Sequence, residues 1–279
     1  GCRTKRPIDR NDDGWLLKFQ TNGEKGKGMK RTKLKDAKVD ILRTFHWVEY
    51  FKYNNAHLLK LDFNSRSELS VEERKLIAPS IRAFQIGEGS DGKHLSKAVR
   101  KFAMQTGYKE YPEIMRWFVM EENRHSQTLK KYMEVHRIPT VSKLWIDDAF
   151  RMLRKLMGLE CEVIILVTAE MIALSYYTAL GNATNSPLLK TICKQMLNDE
   201  LMHVILQSDT LFRISKTRCK PLNEFIRILR KIVMRITLMV VWAKYKDLFL
   251  KGGYTYPILK KHCLEYLDES IAIEKTGRI

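Results

Sequence analysis

Residues 121–125 read EENRH, and residues 199–203 read DELMH. Each stretch contains the spacing E-x-x-H, which places a carboxylate and an imidazole one turn apart on the same face of a helix. Each E-x-x-H is also directly preceded by a further acid. Chance supplies roughly half of one E-x-x-H in such a chain, whereas two copies with a preceding acid arise roughly once in several hundred such chains. The two stretches therefore indicate a shared function.

The glutamates of both patterns fall on apolar helix faces. The side chains expected on the face of Glu122 are Met115, Phe118, Leu129 and Met133. Those expected on the face of Glu200 are Leu189, Ile192, Met196 and Gln207. Burying a carboxylate in such a stripe is costly unless the carboxylate is paired or binds a metal ion. The two patterns therefore predict a buried, charged site.

Two further glutamates lie in apolar stretches, one before each pattern. Glu88 precedes the first pattern, and Glu170, in LVTAEMIAL, precedes the second. One glutamate followed by one E-x-x-H, twice over on four successive helices, is the ligand arrangement of ferritin-like di-iron carboxylate proteins. Taken singly, Glu88 could equally be a surface residue and Glu170 could pair with an arginine. Glu162 is the rival ligand to Glu170, although we expect it in a solvated turn.

The predicted metal ligands are Glu88, Glu122, His125, Glu170, Glu200 and His203. We expect Glu88 and His125 to bind one ion, and Glu170 and His203 to bind the other. The glutamates of the two E-x-x-H patterns would bridge the ions, holding them about 3.5–4 Å apart. No catalytic residue beyond these ligands is predicted.

The ligand types suggest which metal is bound. Oxygen and nitrogen ligands suit iron or manganese, and two divalent cations neutralise four carboxylates. The predicted cofactor is therefore two iron ions, with manganese or a mixed pair as the alternative. Glu121 and Asp199 are predicted to orient the histidines by hydrogen bonding. For Glu121, a solvent-facing position is the alternative.

The chain reads as consecutive helices, because glycine (14) and proline (7) are scarce. The predicted helices cover 35–61, a segment from Ser70 restarted by Pro79 and running to about 106, then 111–134, 142–157, 159–181, 186–215, 222–250 and 258–275. We predict an all-α fold: a ferritin-like four-helix bundle over 70–216 with additional flanking helices. The flanks are a basic, disordered leader (1–33), an N-terminal helix (34–69) and a C-terminal helical extension (217–279). Met29 is a candidate start, which would leave 1–28 as upstream sequence.

Residues 87–92 read GEGSDG, which matches the G-x-G-x-x-G of dinucleotide-binding loops. That loop requires a strand before it, whereas apolar residues at helical spacing lie on both sides of this one. We therefore place the glycines within a helix. Their predicted role is to leave room for a substrate or for a close helix, and a local kink is the alternative. The predicted substrate cavity is lined by Gly87, Gly89, Gly92, Ala173 and Tyr177.

The net charge of +18 predicts a basic surface. An acidic carrier protein suits it as a partner, while nucleic acid and a membrane surface are weaker candidates. A membrane helix is not expected, since no segment approaches the roughly 20 uncharged apolar residues of a span, and the longest candidate is 236–243. Residues 222–250 are instead expected to form a bundle helix with Arg227, Lys231 and Arg235 on a basic solvent face.

Five scattered cysteines without C-x-x-C favour a reducing, cytoplasmic setting.

The metal patterns resemble those of a known family. EENRH, followed at 129–138 by LKKYMEVHRI, looks like the first metal motif of the soluble acyl-carrier-protein desaturases, and ICKQMLNDELMH (192–203) resembles their second. The resemblance covers roughly residues 80–215. It implies a di-iron centre that activates dioxygen, an electron donor such as a ferredoxin or reductase, and an acyl substrate on an acidic carrier. Where these desaturases have a threonine, this chain has Ala173, which argues against desaturation in particular.

We therefore expect a di-iron oxidoreductase that uses dioxygen to desaturate, hydroxylate or oxygenate a hydrophobic, carrier-bound substrate, and a homodimer is a possible assembly. One alternative is a ferritin-like protein for iron oxidation or peroxide scavenging. Another is a basic, RNA-associated di-iron hydroxylase. A tyrosyl radical is not expected, because Leu129 stands where the related ribonucleotide reductase subunit has its tyrosine.

Overall fold

The computed structural model describes residues 29, 31, 33–34, 46–64, 69–89, 93–141 and 158–278. Over these residues the chain forms eight α-helices and no strand. The helices are α1 (Trp47–Ala56), α2 (Val71–Glu88), α3 (Lys93–Thr106), α4 (Tyr111–Val135), α5 (Gly158–Ala183), α6 (Pro187–Ser215), α7 (Lys220–Lys251) and α8 (Tyr256–Thr276). The prediction of an all-α fold is confirmed.

Two predicted helix starts are confirmed by their caps. The Ser70 hydroxyl accepts a hydrogen bond from the backbone amide of Glu73 at 3.1 Å and begins α2. The Ser186 hydroxyl accepts one from the amide of Leu189 at 3.2 Å, with Pro187 opening α6. Such caps satisfy amides that the first turn of a helix leaves without partners.

Helix α5 is the centre of the packing. It packs most extensively on α6 and also contacts α3, α7 and α8, so that nearly every side of it is covered. Among the described residues it is the one helix long and apolar enough to cross a membrane, and 83% of its most apolar window is buried inside the fold. The expectation that no segment reaches this length was therefore wrong, and the burial of α5 is that of a core helix. Glu162, expected in a solvated turn, is buried in α5.

The prediction of one helix running through the glycine segment was wrong. The structure has two separate helices there, α2 and α3. Helix α2 ends at Glu88, and Gly89 follows with extended backbone angles (φ −76°, ψ 117°). Gly92 lies outside the described residues. The interruption places Glu88 at the last position of its helix. Pro79, predicted to restart a helix, instead lies inside a continuous α2.

Helix α1 is shorter than predicted, since it ends at Ala56 and residues 58–62 are not helical; residues 35–45 and the predicted helix 142–157 lie outside the described residues. Three residues before α1 contact helices α5 and α8. The amide of Met29 bonds Asn182 in α5, Arg31 pairs with Glu265 in α8, and Leu34 is fully buried. These contacts tie the N-terminal segment to α5 and α8.

Candidate metal centre

Six acidic and imidazole side chains from four helices converge in the interior. Helix α2 supplies one, and α4, α5 and α6 supply the rest; all are at least 92% buried. They are Glu88, Glu122, His125, Glu170, Glu200 and His203. Ligand atoms of four of them, Glu122, His125, Glu200 and His203, all lie within 4.8 Å of one another. These four could hold a metal ion.

The surroundings of the two histidines are alike. The Nδ1 atom of His125 lies 3.8 Å from a Glu88 oxygen, 3.7 Å from Glu122 and 3.3 Å from Glu200. The Nδ1 atom of His203 lies 3.7 Å from Glu170, 3.0 Å from Glu122 and 3.4 Å from Glu200. Glu88 therefore lies beside His125, and Glu170 beside His203. Glu122 and Glu200 lie beside both histidines.

The Nε2 atoms of the two histidines are held by Glu121 and Asp199, the acids that directly precede Glu122 and Glu200 in the sequence. The Nε2 atom of His125 lies 2.9 Å from Asp199, and that of His203 lies 3.0 Å from Glu121. Each histidine thus bonds to the acid of the other helix, which links α4 to α6 twice. Because Nε2 is occupied in both rings, Nδ1 is the atom that faces the carboxylate cluster, and this fixing of the ring favours metal binding.

Three polar residues outside the predicted set donate hydrogen bonds to these two acids. The Arg124 guanidinium donates to Glu121 at 2.5 Å and to Asp199 at 3.2 Å. The Asn54 amide, from α1, donates to the same two acids at 2.5 and 3.0 Å. Gln195 donates to Asp199 at 2.7 Å. Nothing in the sequence marks Asn54 or Gln195 as part of the site. Arg124 lies within EENRH, but its role depends on the neighbouring helix.

Several buried atoms of the cluster have no hydrogen-bond partner. Among the described residues these include both oxygens of Glu170, one oxygen each of Glu122 and Glu200, and Nδ1 of both histidines. A buried polar group left unpaired costs about 1–3 kcal/mol. Six such atoms facing one another are the donor set that a metal site offers, and the carboxylate-rich composition fits iron or manganese.

The pKa values of these groups show that the buried carboxylates lack enough positive charge around them. Burial, with the charges of Glu88 and Glu200, raises the pKa of Glu122 to about 8. Burial also raises the pKa of Glu170 well above its usual range. Burial alone would lower the pKa of His203, but the surrounding carboxylates hold it well above the ordinary value. Without metal, the cluster therefore keeps protons that a bound cation would displace.

Tyr177 touches the cluster directly. Its hydroxyl donates a 2.5 Å hydrogen bond to Oε1 of Glu88, and its ring is fully buried. Burial, with the nearby charge of Glu88, holds the pKa of the tyrosine well above 10. Tyr177 was predicted to line a substrate cavity; the contact it makes is with a predicted metal ligand.

An apolar cavity of about 200 Å³ reaches this cluster between α2, α5 and α7. Glu88, Glu122, Glu170 and Glu200 form its polar end. The remaining lining is mostly apolar and includes Phe84, Ile165, Ile172, Val240, Val241 and Tyr245. Three exposed residues, Gly87, Ala169 and Lys244, also line the cavity, so it extends from the protein surface to the carboxylates.

The residues predicted for the cavity occupy three kinds of position. Gly87 and Ala173 line it, and a side chain added at Gly87 would extend into open space. Gly89 instead allows close approach of α4, because an added Cβ would lie 3.3 Å from the hydroxyl oxygen of Ser126. Gly92 is outside the described residues. The cavity residues of α7 were missed, since nothing local to that helix marks them.

No protein-family model, curated protein or solved structure matches this chain. The interpretation of the cluster as a metal centre is therefore based on its geometry alone.

Proposed function

We propose that this chain is a ferritin-like di-metal oxidoreductase that binds two iron ions and uses dioxygen to oxidise a hydrophobic substrate. One observation carries the proposal: six buried ligand side chains stand in two equivalent groups that share Glu122 and Glu200. In the proposed site, Glu88 and His125 hold one ion, and Glu170 and His203 hold the other. Manganese at one or both positions is the alternative metal content.

Reduced iron, when bound, supplies the electrons for dioxygen activation. The chain's own residues provide the setting. Glu121 and Asp199 keep the imidazoles aimed at the ions, and Arg124 balances the charge of these acids. Tyr177 holds Glu88 in position and keeps its proton, because burial holds its pKa high.

The cavity supports oxidation of an organic substrate over iron storage. Its apolar walls suit an alkyl or aryl group, while its polar end lies at the ligands. The substrate carbon to be oxidised would lie beside Glu170 and Ala173. Electrons would come from an external donor such as a ferredoxin or reductase, and a cytoplasmic location belongs to the same proposal.

Metal analysis tests the proposal. Protein produced with supplemented iron is expected to contain two irons per chain, and the variants Glu122→Ala and His203→Ala are expected to lose most of both. Glu134→Gln is the matched control, since Glu134 lies on α4 with its side chain 60% exposed. Wild-type protein that binds neither iron nor manganese after anaerobic reconstitution would refute the proposal. Metal that stays bound in both alanine variants would refute this ligand set.

A further inference from the structure

Helix α7 buries charged residues and exposes apolar ones, the reverse of an ordinary surface helix. Its buried side carries Asn223, Arg227, Arg230, Met234 and Leu238. Between 222 and 239, its exposed side carries seven large apolar residues, each 41–57% exposed: Leu222, Phe225, Ile228, Leu229, Ile232, Ile236 and Met239. They recur every three or four residues and so form one continuous stripe, which we call the α7 apolar stripe. A surface helix normally buries such a stripe and exposes its charges.

The buried arginines fix this orientation. Arg230 is 1% exposed and forms an ion pair with Glu274 of α8, and it also donates to Ser270 at 2.8 Å. Arg227 bonds the other oxygen of Glu274 at 3.0 Å. The expectation of a basic solvent face containing Arg227 was therefore wrong. Rotating α7 to bury its stripe would leave Glu274 buried without its counter-charges, which is strongly unfavourable.

The exposed charges of α7 are mainly positive. The exposed basic residues are Lys220, Arg235, Lys244, Lys246 and Lys251, and the exposed acids are Glu224 and Asp247. Glu224 is already paired with Arg227 and Lys275. An apolar stripe with basic residues beside it, on a chain of net charge +18, has the composition of helices that lie in the surface of a membrane.

We propose that the α7 apolar stripe docks on an anionic lipid surface, with its apolar side chains between the headgroups and its basic residues on the phosphates. Charge complementarity favours this occupant over a second copy of the chain. Two copies packed through the same face would bring their basic residues together, and like charges across an interface oppose association.

The stripe adjoins the cavity. Thr237, Val240, Val241, Lys244 and Tyr245 of α7 line the cavity, and they alternate along the helix with Ile236 and Met239 of the stripe. Docking would therefore bring the cavity entrance to the lipid surface. One consequence rests on the proposed function: the substrate would enter from the bilayer, as an apolar molecule dissolved in it.

Vesicle binding by the intact chain tests the proposal. Cosedimentation is measured with vesicles of phosphatidylcholine plus phosphatidylglycerol, and with vesicles of phosphatidylcholine alone. Wild type is expected to bind the anionic vesicles, and Ile236→Asp to bind them about tenfold more weakly. The matched control is Met104→Asp, since Met104 is 80% exposed on α3 and the charge change is the same. Its affinity is expected to change less than about twofold, because Met104 lies on α3 and is not part of the α7 apolar stripe.

Arg235→Glu is a second variant, which alters charge without removing an apolar contact and is also expected to weaken binding to the anionic vesicles. Absence of wild-type binding would overturn the proposal, as would equal loss in the Ile236 and Met104 variants. Sedimentation velocity without vesicles gives a third test: a wild-type dimer that Ile236→Asp converts to a monomer would assign the stripe to self-association instead. Iron content, measured on the same samples, reports the proposed function separately, because the stripe holds no ligand.

Discussion

Replacing Glu170 by leucine should stabilise the metal-free protein while reducing its stabilisation by metal. Both carboxylate oxygens of Glu170 are buried without a hydrogen-bond partner, on an α5 face that is otherwise apolar. Removing an unsatisfied buried group recovers about 1–3 kcal/mol, and burying the leucine adds about 1 kcal/mol or more. A net gain of about 2–4 kcal/mol would raise Tm by about 4–10 °C for a chain of this size.

Thermal unfolding, followed by circular dichroism under anaerobic conditions, measures both effects. Iron(II) at about a thousand times its Kd should stabilise wild type by about 4 kcal/mol for each ion bound, and the Glu170→Leu variant should lose the contribution of the ion that Glu170 and His203 hold. Gln207→Leu is the matched control, because Gln207 is also fully buried with both amide atoms unpaired but is not a predicted ligand. That variant should gain stability and keep the metal response.

Two results would refute this reasoning. If Glu170→Leu lowered the Tm of the metal-free protein, the carboxylate would have a structural partner that the cluster geometry does not account for. If the variant kept the full metal response, Glu170 would not be a ligand. In the second case Glu162, the other buried glutamate of α5, would be the residue to replace next.

Three further predictions concern the support of the site, the cavity and the fold. Asp199→Asn should weaken metal affinity about 10–100-fold, measured by competition with a chelator, and unchanged affinity would show that His125 needs no anionic partner. Gly87→Leu should block the cavity and abolish substrate turnover while metal content stays at the wild-type value; loss of metal would contradict the assigned role. Glu274→Gln should lower the free energy of unfolding by about 3 kcal/mol in urea, since it leaves Arg230 buried without its counter-charge, and a change below about 1 kcal/mol would refute the importance of that pair.

The sequence predicted most of the helices because their signals are local. Scarce glycine, the caps at Ser70 and Ser186, and the apolar periodicity of α4 each act within a turn or two of the chain. The prediction failed where distant contacts or backbone detail compete with periodicity. Helix α2 ends at Glu88, before Gly89, although apolar spacing continues beyond it. Helix α1 ends at Ala56, close to Asn54, whose amide donates to acids on α4 and α6.

The residues of the candidate site could also be predicted from the sequence, because their signals are local too. A buried carboxylate on an apolar face needs a counter-charge, so Glu88, Glu122, Glu170 and Glu200 stand out in the sequence alone, and the E-x-x-H spacing places each histidine on its glutamate's face. The sequence could not show which histidine faces which outer acid. That crossed pairing depends on how α4 and α6 pack.

The sequence by itself determined the helical class and the set of charged residues that had to be buried together, because spacing and hydrophobicity fix which face of a helix each residue occupies. Only the tertiary structure decided which way α7 faces and where the cavity runs. Periodicity alone identifies a stripe of apolar residues without stating whether it is covered. The ion pairs of Arg227 and Arg230 with Glu274, on the following helix, turn the apolar stripe outward.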